Sequence, residues 1–310
     1  MAPDASDAGG EPGEAAADAS DDSATDGAAD VVTPAEASAD AAPDAAPDID
    51  AGAGCLSPGT ESPLSAASAG LPADGLVLWV RADRGVYMTA QSEVCAWKDQ
   101  SGNDRLLSAA STRPIWQGTS VGGMPAIHFS AVGTDLYTPD LLGIGATSGR
   151  TFIAVAELVN TTGRFHPILQ GQGNSAGTYL GIDANTWQTA GSLEGVYVTN
   201  NSYDTALATS ASPRVHVLTV TTLMPGTAVT AAIDYRVNGA TQTFTLKAGS
   251  GTIVDFSAAD FTAVGAVSGT PSTPGYGDAM VAEALIYDRA LTVNERAAAE
   301  AALEARYGIH

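Results

Sequence analysis

The stretch that decides the fold is YGDAMVAEALIYDRALTVNERAAAEAALEARYGIH, residues 276–310. Val281, Glu283, Leu285 and Tyr287 alternate with Ala282, Ala284 and Ile286. Both faces of that strand are largely apolar, so the pattern predicts a central strand with something covering each face. Asp288, Arg289 and Ala290 turn the chain. Thr292 opens a helix, and Glu295 stands three residues on, at the capping-box spacing. Val293, Ala297, Ala301 and Glu304 are expected to share the helical stripe, with Leu303 near its edge. Gly308 follows Tyr307 where a left-handed C-cap is wanted. The rest of the domain must be arranged to receive this strand, turn and helix.

Working outward, the composition divides the chain. It has 310 residues with 35 acidic and 13 basic side chains, a formal charge of −22. The first 54 residues hold 14 of the acids, no Lys or Arg and no aromatic ring. The remainder holds 21 acids against all 13 bases, so most of the charge belongs to the tail. An Ala/Asp/Pro/Gly/Ser segment buries too little apolar area to offset its chain entropy. Residues 1–54 are therefore expected to be a disordered, self-repelling linker, a spacer rather than a binding segment. Residues 55–70 form a transition, and residues 71–309 read as one all-β domain.

That domain is written in short runs rich in Val, Ile, Thr and Tyr, broken by Gly, Pro, Asn and Asp. Strands are expected at 76–82, 94–98, 126–129, 151–158, 167–170, 178–183, 195–199, 215–222, 229–237, 242–246, 261–267 and 280–287. Asn238-Gly239 reads as a hairpin turn. Strands at this spacing indicate an antiparallel sandwich or jelly roll. No run of 18 apolar residues is present, so no transmembrane helix is expected. An acidic spacer ahead of a β domain points to an exported protein, extracellular or at the cell surface, with a signal peptide or lipid-bearing Cys removed before Met1. In that setting Cys55 and Cys95 would form a bridge pinning the entry to the domain; the alternative is two unpaired thiols.

LVLWVRADRGV (76–86), VCAWKDQSGND (94–104), GGMPAIHFS (122–130), TFIAVAEL (151–158), VHVLTVT (215–221) and VAEALIYDRALTVNERAAAEAALEARYGI (281–309) together resemble the concanavalin A-like lectin/glucanase superfamily. More narrowly they are similar to the laminin G-like (LamG) domains of bacterial surface and secreted proteins. The resemblance implies a two-sheet jelly-roll sandwich with one concave sheet. It also implies carbohydrate or matrix binding, sometimes with Ca²⁺, but no single activity.

The chemistry-bearing residues narrow the choice. A glucanase of this fold is expected to carry Glu-x-Asp-x-Glu on a strand, and no such triplet occurs. Glu157 and Glu283 are the carboxylates inside strong core strands, and neither has a partner two residues away. Glu283 is expected to sit in a structural ion pair, with Arg289 or Arg81. Asp99, Ser101, Asn103 and Asp104 place oxygens at near-alternating positions, as a Ca²⁺ loop would, or as an Asx turn would. The four histidines, His128, His166, His216 and His310, lack metal-binding spacing. Gly171, Gly173 and Gly177 are not followed by Lys-Ser/Thr, so a phosphate cradle is not supported.

Trp187, Tyr179, Tyr197 and Tyr203 fall close to Asp183, Asn185, Asn200 and Asn201. On a concave face these would offer ring faces to a saccharide, with Asp183 and Asn185 as hydroxyl partners. The same rings are also compatible with half-buried sheet positions. The leading expectation is a non-catalytic module whose partner is a polysaccharide or surface glycan. The alternatives are a structural domain that meets a cell-envelope protein, then a hydrolase or lyase built from distant carboxylates. The acidic balance and lack of a basic patch disfavour nucleic acid.

Overall fold

The computed structural model describes residues 54–57, 61, 64–109, 112–130, 134–139, 142–159, 166–171, 180–184, 193–254, 262–265 and 278–310. The linker expected over 1–54 lies outside these residues but for Gly54. The strand that opened the sequence reading runs Ala279–Tyr287, and all nine of its residues are buried. It is the eighteenth strand, β18, and it sits centrally in an eight-stranded antiparallel sheet. That sheet runs β15 (Ala240–Thr241), β14 (Ile233–Val237), β13 (Arg214–Val220), β8 (Arg150–Leu158), β18, β6 (Ala126–Phe129) and β5 (Ile115–Gln117). β1 (Leu76–Arg81) pairs with the second half of β18, beyond the stretch that pairs with β6.

A ten-stranded antiparallel sheet faces it. Its order is β16 (Phe244–Ala248), β12 (Asn201–Ala208), β11 (Leu193–Val198), β10 (Leu180–Ala184), β9 (His166–Gly171), β17 (Thr262–Val264), β7 (Leu136–Thr138), β4 (Leu106–Ala109), β3 (Val94–Lys98) and β2 (Val86–Met88). Leu78, Val80, Ala154, Ile286, Trp97, Leu107, Leu169, Ile182 and Val196 meet between the sheets in one apolar core. Among the described residues the architecture is a two-sheet β-sandwich with one sizeable helix, α2 (Val293–Tyr307); α1 (Val229–Ala232) is a single turn. Residues 229–232, expected to be extended, thus begin the 229–237 segment as helix before β14 resumes the strand.

The outer face of the eight-stranded sheet carries a second core. Trp79, Ile153, Val217, Leu285 and Tyr287 pack there against Ala299, Leu303 and Tyr307 of α2. Thr292 and Glu295 form the reciprocal capping box, and Gly308 ends the helix at φ 62°. The helix face differs from the expected stripe. Val293, Ala297 and Ala301 are exposed, whereas Arg296, Ala299, Glu300, Leu303 and Tyr307 are buried. Two charged residues belong to the buried stripe because each has a partner on β14: Arg296 meets Asp234, and Glu300 accepts from Arg236 at 3.0 Å.

A register shift between Val281 and Glu283 also revises the faces of β18. Val281 points into the inter-sheet core, while Ala282 lies in the cluster under α2 and Glu283 meets α2's Arg306 and Tyr307. Cys55 is bonded to Cys95 of β3.

Candidate functional site

The ten-stranded sheet has an outer face opposite the core. Direct pairings trace one row across it: Tyr137, Ala263, Gln170, Gly181, Tyr197, Ser202 and Ala248. A second row, two residues along, runs Asp183, Gly195, Asp204 and Thr245. The intervening Leu169, Ile182, Val196 and Val198 point into the core, so side chains of these two rows point away from it. Ala263 and Tyr137 pack together on this outer side.

The glycines shape the face. Gly181 lies between Gln170 and Tyr197, and Gly195 lies between Asp183 and Asp204. Asp183 and Asp204 are two strand spacings apart, about 10 Å at their Cα atoms, with no side chain on the strand between them. A Cβ on Gly181 would come within 2.8 Å of the Gln170 Cγ, so Gln170 lies over the glycine. On the far side, Lys247 Nζ stands 3.4 Å from the Asp204 carboxylate.

Asp183 and Gln170 are fully buried, and both side-chain ends lack a well-formed hydrogen bond, as does the Ser202 hydroxyl. Burial pushes the Asp183 carboxyl up to about 8; the nearby Gln170 amide offsets only part of that. Asp183 therefore carries its proton at neutral pH. Tyr197 is half-buried, and its hydroxyl donates to Asn200 at 3.3 Å. Burial and the Asp183 charge raise the Tyr197 phenol to about 12.

The expected saccharide cluster is thus divided. Tyr197 and Asp183 share the outer face, but Asp183 lies beneath it, inaccessible as a direct hydroxyl partner. Tyr203 is 2 % exposed, belongs to the inter-sheet core and stacks edge-on to Phe244, so it is not a platform. Asn201 is buried too, its amide donating to the carbonyls of Val198, Thr199 and Thr252. Trp187, Tyr179 and Asn185 lie outside the described residues.

The turn after β3 keeps its oxygens occupied. Asp99 Oδ1 accepts from the backbone N–H of Trp79 and of Ser101, each at 2.8 Å, and Oδ2 accepts from the Ser101 hydroxyl at 2.6 Å. The Asn103 amide donates to Val77 O and to Ser101 Oγ, while Asp104 turns to Lys98 at 2.9 Å. Asp99, Ser101 and Asn103 thus pin the turn to β1, and Asp104 ties it to β3.

Glu283 has a role of another kind. Its carboxylate accepts from Trp79 Nε1 at 2.6 Å, Arg306 Nη1 at 2.7 and 2.6 Å, and Tyr307 OH at 2.9 Å. The expected partners are engaged elsewhere: Arg81 with Asp83, and Arg289 with Glu295 and Asp74. The partner is instead Arg306, in the last turn of α2.

No family model and no curated protein matches the chain in sequence. Among solved structures it is similar to Trypanosoma rangeli sialidase in complex with the inhibitor DANA, at 16 % identity and TM-score 0.51, over 74 % of this chain and 33 % of that one. The chain thus spans about a third of the sialidase's length. It is also similar to domain 4 of a GH43 extracellular arabinanase from Geobacillus stearothermophilus in complex with arabinotriose, at 13 % identity and TM-score 0.47, over 71 % of this chain and 95 % of that domain. At these identities the likeness concerns the fold.

Proposed function

We propose that residues 71–309 are a concanavalin A-like, LamG-like jelly roll that binds polysaccharide or surface glycan without cleaving it. The module would belong to an exported protein, extracellular or at the cell surface, with residues 1–54 as its tether. The observation that carries this reading is the outer face of the ten-stranded sheet. There Tyr197 stands beside Gly181, over a polar floor of Gln170, Asp183 and Ser202. A ring beside a glycine offers apolar area that the C–H face of a sugar can cover. The absence of a Glu-x-Asp-x-Glu strand supports binding over hydrolysis. The inhibitor-bound sialidase among the similar folds adds weight to the ligand class. Trp187 and Tyr179, neighbours of this face in sequence, are proposed as further platforms.

Full burial of Asp183 and Gln170 favours a second reading, a scaffold that contacts another envelope protein and has no sugar site there. A glycan array run with and without Ca²⁺ separates the two. Binding to a polysaccharide, lost in Tyr197→Ala at an unchanged thermal midpoint, supports the first. Binding to no glycan, or binding unaffected by Tyr197→Ala, supports the second. Each sugar unit should be held at ~0.1–1 mM, or about −4 to −5.5 kcal/mol, and tethered copies would gain by avidity.

A further inference from the structure

A cleft of about 500 Å³ opens on the helix side of the eight-stranded sheet, at the end of α2. Gly122 closes one side of it: a Cβ there would collide with the Tyr307 carbonyl, so the turn at 121–123 seats directly on the last residue of the helix. Glu157 belongs to the lining, together with Ser120, Ser212 and Asn238. Glu157 stands opposite Met280, which lies in the cluster under α2, so its side chain leaves the sheet on the helix side. Arg214 stands opposite Ala156, in the inter-sheet core, and its guanidinium is turned that way, donating to Glu194 at 2.6 Å.

Glu157 differs from the other glutamates removed from water. Glu194, Glu283, Glu295 and Glu300 each meet an arginine. Glu157 is half-buried and meets no cation among the described residues. Burial raises its carboxyl above the ordinary range, and the Ser120 hydroxyl, 3.1 Å from the Met280 sulphur, moderates the rise. A carboxylate drawn out of water without a counter-charge is expensive to keep for packing alone.

The helix adds charge of the same sign. The last carbonyls of a helix have no partner within it and carry the negative end of its dipole. In α2 the Glu304 carbonyl accepts from the N–H groups of Gly308 and Ile309. The Tyr307 carbonyl, which lines the cleft with its residue, accepts from no backbone N–H among the described residues. Asn238 Oδ1 accepts from the Val215 N–H at 2.8 Å, which leaves its amide nitrogen to donate. His310 is exposed at the rim.

One carboxylate beside the carbonyl end of a helix repels anions and favours a cation. A metal ion would need more charged ligands, and no group of three His, Cys, Asp or Glu converges among the described residues. An ammonium needs no such set, since its three N–H groups can be shared among a carboxylate, a hydroxyl and a carbonyl. The volume falls within the range of small-molecule sites. We propose that this cleft binds the primary ammonium group of a small polar molecule, through Glu157, Ser120 and the carbonyl end of α2. The Asn238 amide and the Ser212 hydroxyl would meet polar groups on the same molecule. The proposal does not rest on the carbohydrate-binding reading, because none of these residues belongs to the outer face of the ten-stranded sheet.

Saturation-transfer NMR on the full chain at pH 7 tests it, with D-glucosamine and cadaverine as ammonium probes and N-acetyl-D-glucosamine and D-glucuronate as controls. At least one ammonium probe should bind, about tenfold or more tightly than either control. Glucosamine ahead of cadaverine would mark an amino sugar as the source of the ammonium, and the reverse order an alkyl amine. Glu157→Gln should weaken binding about tenfold or more. That loss separates the cleft from the acidic residues 1–54, which every variant keeps. Ser212→Trp, at an exposed position on the cleft wall, should abolish binding, and Tyr197→Ala should leave it unchanged. The proposal is overturned if neither ammonium probe binds, if a control binds as well as the better of them, or if Glu157→Gln binds as the wild type does. Should Ser212→Trp lower the thermal midpoint, Glu157→Gln decides alone.

Discussion

Glu283 and Asp183 are both fully buried carboxyl residues, each on the outer side of its sheet. Glu283 lies under α2 and receives three different side chains, one of them an arginine. Asp183 receives no well-formed hydrogen bond and answers burial by holding its proton. Equal burial thus conceals opposite chemistry. A carboxylate that binds a helix to a sheet is saturated with donors, whereas one retained on a polar face is left with idle oxygens. The first belongs to the fold, and the second marks the face where function is proposed.

The comparison breaks most visibly at Glu283. Glu283→Gln should destabilise the domain by about 3–5 kcal/mol, because Arg306 is left without its counter-charge. Urea unfolding checks it, and a loss below about 1 kcal/mol would deny Glu283 its structural role. Leu303→Ala should cost about 2–5 kcal/mol by opening a cavity between α2 and the sheet. An unchanged denaturation midpoint would make the helix an appendage. Thr292→Ala sharpens the same side of the comparison at a smaller scale, about 1 kcal/mol through the lost cap. A thermal shift that vanishes in Glu295→Ala would show that the two residues act as one box.

The parts legible in the sequence were local. Thr292 and Glu295 announce the cap because their partners are three residues apart. Alternation in 281–287 announces a buried strand. The face of α2 is not legible because Ala lies all round it, and the buried Arg296 and Glu300 are specified by Asp234 and Arg236 on β14, about 60 residues away. The bulge at Val281 leaves no trace in composition. β12 shows no alternation because NSYDTALA places polar groups on both faces: Ser202 and Asp204 point outward, while Asn201 and Thr205 are spent on backbone carbonyls. That strand carried Tyr203 into the core and Asp204 onto the candidate face. Tyr197 was identifiable as an aromatic among polar residues.

Asp183→Asn tests the contrast most directly. In the folded protein its carboxyl is raised to about 8 from the ordinary 3.8. As pH climbs above the ordinary value, the unfolded chain releases this proton while the folded chain retains it. Stability is therefore lost progressively between about pH 4 and 8, and the full penalty, on the order of several kcal/mol, applies above that. Asn lacks the charge and keeps the shape. The thermal midpoint of Asp183→Asn should match the wild type near pH 4 and exceed it clearly at pH 9. A variant that instead melts well below the wild type at pH 9, as Glu283→Gln is expected to do, would show that Asp183 is an ionised structural carboxylate and that the two acids are alike.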